Sequence, residues 1–112
     1  MSGITTHVLD TSRGRPVAGL AVALEQMDPS GAWRLVATGR TDAEGRLRTL
    51  LTEDPLPGTY RLTFETRAYF DAQGTTVFYP HVVVTFEVAE DESHYHVPLL
   101  LGPFGYTTYR GT

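Results

Sequence analysis

A chain of 112 residues reads as one domain over 1–112, long enough to bury a core without disulfides or a structural metal. Its nine basic residues against 13 acidic ones, a formal charge of −4, leave no net positive field of the kind a nucleic-acid partner needs. The basic residues are all Arg and there is no Cys, which excludes Lys Schiff bases, disulfides, thiol nucleophiles and thiolate metal sites.

The pattern is that of an all-β sandwich, with short strands separated by turn signals. Ile4–Asp10 alternates and is broken by Thr11-Ser12-Arg13-Gly14-Arg15-Pro16. Leu20, Val22 and Leu24 then give a strand with one apolar face. Asp28-Pro29-Ser30-Gly31 is a turn cluster, since its residues fix φ, allow φ > 0 or bond their own backbone. Trp33–Thr38 is the third strand. Thr41-Asp42-Ala43-Glu44-Gly45 is a tight turn, and Leu47–Leu51 a short strand after it.

Pro55-Leu56-Pro57-Gly58 turns the chain into Thr59–Thr66, where Tyr60, Leu62 and Phe64 share a face. Arg67–Ala72 lacks strand alternation and predicts a short helix. His81–Val88 is the next strand, and its unbroken Val82-Val83-Val84 run predicts burial on both faces. Ala89-Glu90-Asp91-Glu92-Ser93 is a solvated turn. His94–Leu101 and Tyr106–Arg110 complete about eight strands with one short helix. No apolar run approaches the roughly 18–20 residues needed to cross a bilayer. The first residues have neither a basic nor an apolar segment, so the expected location is cytoplasmic, with no membrane partner.

Candidate chemistry starts with histidine. His7 alone in a strand reads first as structural or exposed. His94 and His96 lie two apart, so their rings share a strand face about 6–7 Å apart at the Cα. That spacing suits a zinc site, a pair of general bases or a solvated surface. The same face carries Pro98 and Leu100, and this half-polar, half-apolar mixture suggests a subunit interface with a polar pocket. His81 reads as structural or exposed. Arg46 and Arg48 share a face by the same period, either solvated or offering a planar cation to a carbonyl or oxyanion. No phosphate loop, nucleophile elbow or paired-carboxylate motif is present. Chain ends usually fray, yet Pro98–Tyr109 is apolar and aromatic, and Tyr109-Arg110-Gly111-Thr112 puts a phenol, a guanidinium and a hydroxyl after it.

Five stretches in this order resemble the 5-hydroxyisourate hydrolases, the enzymatic relatives of transthyretin. They are His7-Val8-Leu9-Asp10, Asp42-Ala43-Glu44-Gly45-Arg46, Tyr79-Pro80, His94-Tyr95-His96-Val97-Pro98-Leu99-Leu100-Leu101 and the terminal tetrapeptide. The resemblance spans Ile4 to Thr112. It implies a transthyretin-like (prealbumin-like) β-sandwich assembled as a homotetramer, a dimer of dimers with sites at the dimer–dimer interface. The implied reaction opens the ring of 5-hydroxyisourate to 2-oxo-4-hydroxy-4-carboxy-5-ureidoimidazoline in urate breakdown. It carries the family's catalytic roles onto His7, Arg46 and His96. Substrate binding falls to His7, Arg46, Tyr109, Arg110, Gly111 and Thr112. No metal or other cofactor is implied.

Two positions depart from the family pattern. Thr112 stands where Ser is usual, keeping the hydroxyl, and Glu44 stands where Asp is usual, keeping the charge. Two other readings remain open: a zinc hydrolase using His7, His94 and His96 with an open fourth position, and a non-catalytic transthyretin-like ligand-binding module.

Overall fold

A computed structural model describes residues 3–112, so the first two residues of the expected 1–112 unit lie outside the described residues. Nine strands and one helix follow in order: β1 Gly3–Asp10, β2 Arg15–Pro16, β3 Ala21–Met27, β4 Trp33–Arg40, β5 Arg46–Leu51, β6 Gly58–Phe64, α1 Thr66–Asp71, β7 Val82–Val88, β8 His94–Leu101 and β9 Tyr106–Thr108. The strand beyond the expected eight is β2, two residues long, which pairs with Leu9 and Asp10. Its brevity and its place inside a turn hide it from any periodicity argument.

The strands form two sheets. One runs β4-β3-β6-β7, all antiparallel. The other runs β2-β1-β8-β9, with β5 also on β1. In this second sheet β1 and β8 are parallel and in register from Gly3↔His94 to Asp10↔Leu101. The inward faces supply the core. Val22, Leu24, Tyr60, Leu62 and Phe64 come from one sheet, and Ile4, Val8, Tyr95, Val97, Leu99 and Leu101 from the other. The alternations in β3, β6 and β8 are thus the core faces expected from period two.

One sequence expectation needs correction. Val83 is 40% exposed between buried Val82 and Val84. β7 has an ordinary single inward face: Val83, Thr85 and Glu87 on its outward face are all exposed. Arg46 and Arg48 flank buried Leu47, and neither is buried. The pairing shifts between Ile4↔Leu51 and Thr6↔Leu47, so β5 bulges, Leu47 and Leu50 are both buried, and Arg48 and Thr49 are both exposed. Three residues of β5, 48–50, stand opposite the single Thr5, so the bulge breaks the alternation only beyond Leu47.

Asp10 ends β1 with a fully buried carboxylate. Burial alone would raise its pKa. Hydrogen bonds from the Ser12 hydroxyl, the Tyr69 phenol and the Ser12 and Arg13 amides outweigh it and hold the carboxyl below its ordinary value. This carboxylate ties the first turn to α1 and fixes the end of the strand that carries His7.

Candidate active site

Paired residues on neighbouring strands project to the same side of a sheet. His7 pairs with Arg46 on β5 and with Pro98 on β8, while Thr5 pairs with His96. Since Ile4, Thr6 and Val8 fill the core side of β1, Thr5, His7, Arg46 and His96 gather on the outer side of the five-stranded sheet. Residues far apart in sequence meet there because the parallel β1–β8 pairing aligns the two ends of the chain.

The turn at 41–45 aims Arg46. Asp42 Oδ1 accepts hydrogen bonds from the Glu44 amide at 2.8 Å and the Arg46 amide at 3.0 Å. The Arg46 amide, first, and the Glu44 amide hold the Asp42 carboxyl below its usual value, with Arg48 and Arg46 adding charge. Gly45 has φ +77°, and a Cβ there would lie 2.4 Å from the Val8 carbonyl oxygen. Both the left-handed backbone and the close approach to β1 therefore require glycine. Thr41 locks the turn to the next loop, accepting from the Leu20 amide and donating to the Val17 carbonyl.

His7 Nε2–H donates to the Glu44 carbonyl at 2.9 Å. A carbonyl can only accept, so the bond fixes the neutral ring with its proton on Nε2 and a bare Nδ1. The contact to His7 is made by the backbone of Glu44, not by its side chain.

His96 is half-buried. Burial first, then electrostatic repulsion from His7, His94 and Arg46, holds its imidazole below the ordinary value of 6.5. At neutral pH the ring is thus uncharged and can accept a proton. Its Nδ1 lies 2.8 Å from Thr5 Oγ1, and the same hydroxyl lies 3.3 Å from Nε2 of His94. Thr5 was not singled out in the sequence, although strand parity from His7 would have put it on this face.

The C-terminal segment splits. Gly111 bridges His96, its amide donating to the His96 carbonyl at 2.8 Å. A Cβ at Gly111 would stand 2.6 Å from Cδ2 of His96 and 3.1 Å from Cγ of Pro98, so only glycine lets the segment lie against the ring. Arg110 turns elsewhere. Its guanidinium sits 4.5 Å from the Tyr95 ring centroid, pairs with Glu92 at 3.6 Å and donates to the His94 carbonyl at 3.4 Å. Tyr109 is 55% exposed and Thr112 is exposed. A cleft of about 230 Å³ is lined by Val84, Phe86, Tyr95, His96, Tyr109 and Arg110. A larger open groove of about 660 Å³ lies against α1 and carries none of the expected site residues.

Among the described residues no three or more His, Asp or Glu side chains converge as metal ligands would. His7 spends Nε2 on Glu44, and His94 and His96 each face Thr5 with one nitrogen. His81 is exposed at the start of β7.

A mouse (Mus musculus) protein named 5-hydroxyisourate hydrolase is 44% identical over 113 residues, covering 99% of this chain and 96% of its own. A protein of the same name from Caulobacter vibrioides is 44% identical over 116 residues, covering both chains fully. Among solved structures, sea bream transthyretin in complex with thyroxine matches with a TM-score of 0.92 and 38% identity, over 97% of this chain and 94% of its own. Klebsiella pneumoniae 5-hydroxyisourate hydrolase matches with a TM-score of 0.86 and 34% identity, over 100% and 94%. Backbone likeness alone therefore does not separate a carrier from a hydrolase. The profile of the HIUase/Transthyretin family matches residues 4–111. With that match over nearly the whole sequence, and relatives this similar over nearly their full length, the chain belongs to the HIUase/Transthyretin family.

Proposed function

We propose that this chain is a cyclic amide hydrolase that opens the ring of 5-hydroxyisourate. The observation that carries the reading is the meeting of His7, Arg46 and His96 on one sheet face, in a chain whose near-full-length relatives are named for this activity. Water attacks a ring carbonyl, an O–C bond forms, the ring C–N bond breaks, and the departing nitrogen takes a proton. His7 and His96 share the proton work. One neutral imidazole accepts the water proton, and a protonated one returns a proton to nitrogen. Arg46 offsets the negative charge that develops on the attacked oxygen. Tyr109, Gly111 and Thr112 border the substrate beside His96. Arg110 serves binding by anchoring that segment to Tyr95 and Glu92.

We further infer a homotetramer. β7 and β9 end their sheets, with exposed Val83 and Tyr106 on them and Phe78 and Phe104 nearby. Edge strands with apolar neighbours favour pairing with a second copy. The face holding His96 and Leu100 then meets a second dimer. Among the described residues no helix is long and apolar enough to cross a membrane, and we place the protein in the cytoplasm.

The test generates 5-hydroxyisourate in situ with urate oxidase and follows its ultraviolet decay. Added protein accelerates the decay, with or without EDTA. Decay no faster than the uncatalysed rate would overturn the reading, and loss with EDTA restored by Zn²⁺ would transfer the chemistry to a metal.

A further inference from the structure

One hydroxyl touches two imidazoles. Thr5 Oγ1 lies 2.8 Å from Nδ1 of His96 and 3.3 Å from Nε2 of His94. A threonine hydroxyl has one proton and two lone pairs, so it can donate to only one of them. The two lone pairs could accept from both rings. Among the described residues, however, the hydroxyl proton has no acceptor besides these rings, so with neutral rings one imidazole donates to Oγ1 and the other accepts from it. The tautomers of the two rings are then linked through Thr5. The link is sheltered, because Thr5 is only 5% exposed. The Cδ2 edge of His96 is closed by Gly111, so the ring has little freedom to turn away.

We propose that Thr5 is the positioning residue of His96: its Oγ1 accepts from Nδ1–H of His96 and donates to Nε2 of His94, leaving Nε2 of His96 with a free lone pair. The inference rests on the reading of His96 as a proton-transfer group, and it adds which nitrogen does the work. The direction follows from the chemistry. If Thr5 donated to His96 instead, the proton of the neutral ring would sit on Nε2, and that nitrogen could not take one from water. His7 follows the same plan. It donates one N–H into the protein frame, at the Glu44 carbonyl, and keeps the other nitrogen bare. A ring nitrogen's state is set by the hydrogen bond its partner nitrogen makes. Thr5 thus does for His96 what a backbone carbonyl does for His7. His94 acts only through Thr5, as the acceptor that orients the hydroxyl.

The test is a long-range ¹H–¹⁵N spectrum of histidine-labelled protein at a pH where His96 is neutral, combined with kinetics on 5-hydroxyisourate. His96 of the unsubstituted protein is expected as the Nδ1–H form. Thr5→Val removes the hydroxyl while keeping a strand-favouring shape. It should shift His96 toward the Nε2–H form and lower kcat by about tenfold, a fraction of the effect of a full acid–base group. KM should change little, and Thr5→Ser should restore both the tautomer and the rate. An Nε2–H form in the unsubstituted protein overturns the proposal, and that spectrum decides even if the valine variant does not fold. Unchanged tautomer and kcat in folded Thr5→Val also overturn it. The spectrum needs no substrate, so it is independent of the functional reading. Full turnover by His96→Ala would sink that reading of His96, while the spectrum would still report on Thr5.

Discussion

The two limbs of the site are held by different kinds of bond. His7 is fixed by backbone, the Glu44 carbonyl holding its ring, while Arg46 is aimed by a turn that the Asp42 carboxylate closes and Gly45 permits. His96 is fixed by side-chain chemistry: the Thr5 hydroxyl on one edge of its ring and the missing Cβ of Gly111 on another. A backbone contact survives most substitutions at its own position. A hydroxyl bond or a glycine contact does not. The first limb should therefore tolerate change at position 44, though not at Asp42 or Gly45, and the second should not tolerate change at Thr5 or Gly111.

The largest break in that contrast is removal of Tyr109–Thr112, which takes away the glycine contact, the Arg110 anchor and the Tyr109 phenol together. We expect kcat/KM to fall about a hundredfold or more, the scale of a misplaced catalytic group. The thermal midpoint should fall only modestly, because these residues lie outside the core cluster. Gly111→Ala isolates the glycine contact. A methyl 2.6 Å from the His96 ring must push the ring or the segment away, with an expected loss of roughly tenfold to a hundredfold in kcat/KM and a folded spectrum.

The pH profile sharpens the same limb. His96 must be neutral to accept a proton, and its pKa is held below 6.5 by burial and by His7, His94 and Arg46. As pH falls, the His96 contribution to kcat/KM should persist below 6.5 and disappear only through the depressed value. Stability has its own sign. The unfolded ring binds protons more readily than the folded one, so His96 costs the fold nothing above 6.5. The cost grows as pH falls toward the folded pKa and is complete below it. Replacing His96 with a residue that does not titrate should remove that component from a urea-melt pH series.

Smaller effects belong to the first limb. Asp42→Ala removes the acceptor shared by two turn amides and should lower kcat/KM severalfold and reduce the denaturation midpoint, because Arg46 loses its aim. Glu44→Asp should leave kcat/KM nearly unchanged, since the Glu44 carbonyl carries the contact to His7. Thr112→Ser keeps the hydroxyl and should remain active.

The same contrast explains what could be read from the sequence. Period-two alternation located β3, β6 and β8 with their inward faces, and it put His94, His96 and Leu100 on one outward face. Those features are local, and sterics alone dictate them. Features that depend on a partner strand were hidden. The bulge beyond Leu47 exists only in the register of β5 against β1. The exposure of Val83 depends on which face of its sheet packs against the other sheet. The pairing of Thr5 with His96 depends on a parallel alignment between the two ends of the chain. The stacking of Arg110 on Tyr95 likewise depends on how the chain end lies along β8, where Gly111 is bridged to His96.

The two histidines of β8 give the most direct measurement. They share a strand face and touch the same hydroxyl, but only His96 is assigned proton transfer. On 5-hydroxyisourate generated in situ, His96→Ala should lower kcat/KM by about 10²–10⁴, the usual contribution of a general acid–base group. His94→Ala should lower it far less. Equal and severe losses in both folded variants would contradict the account and point to a site that the two imidazoles hold together.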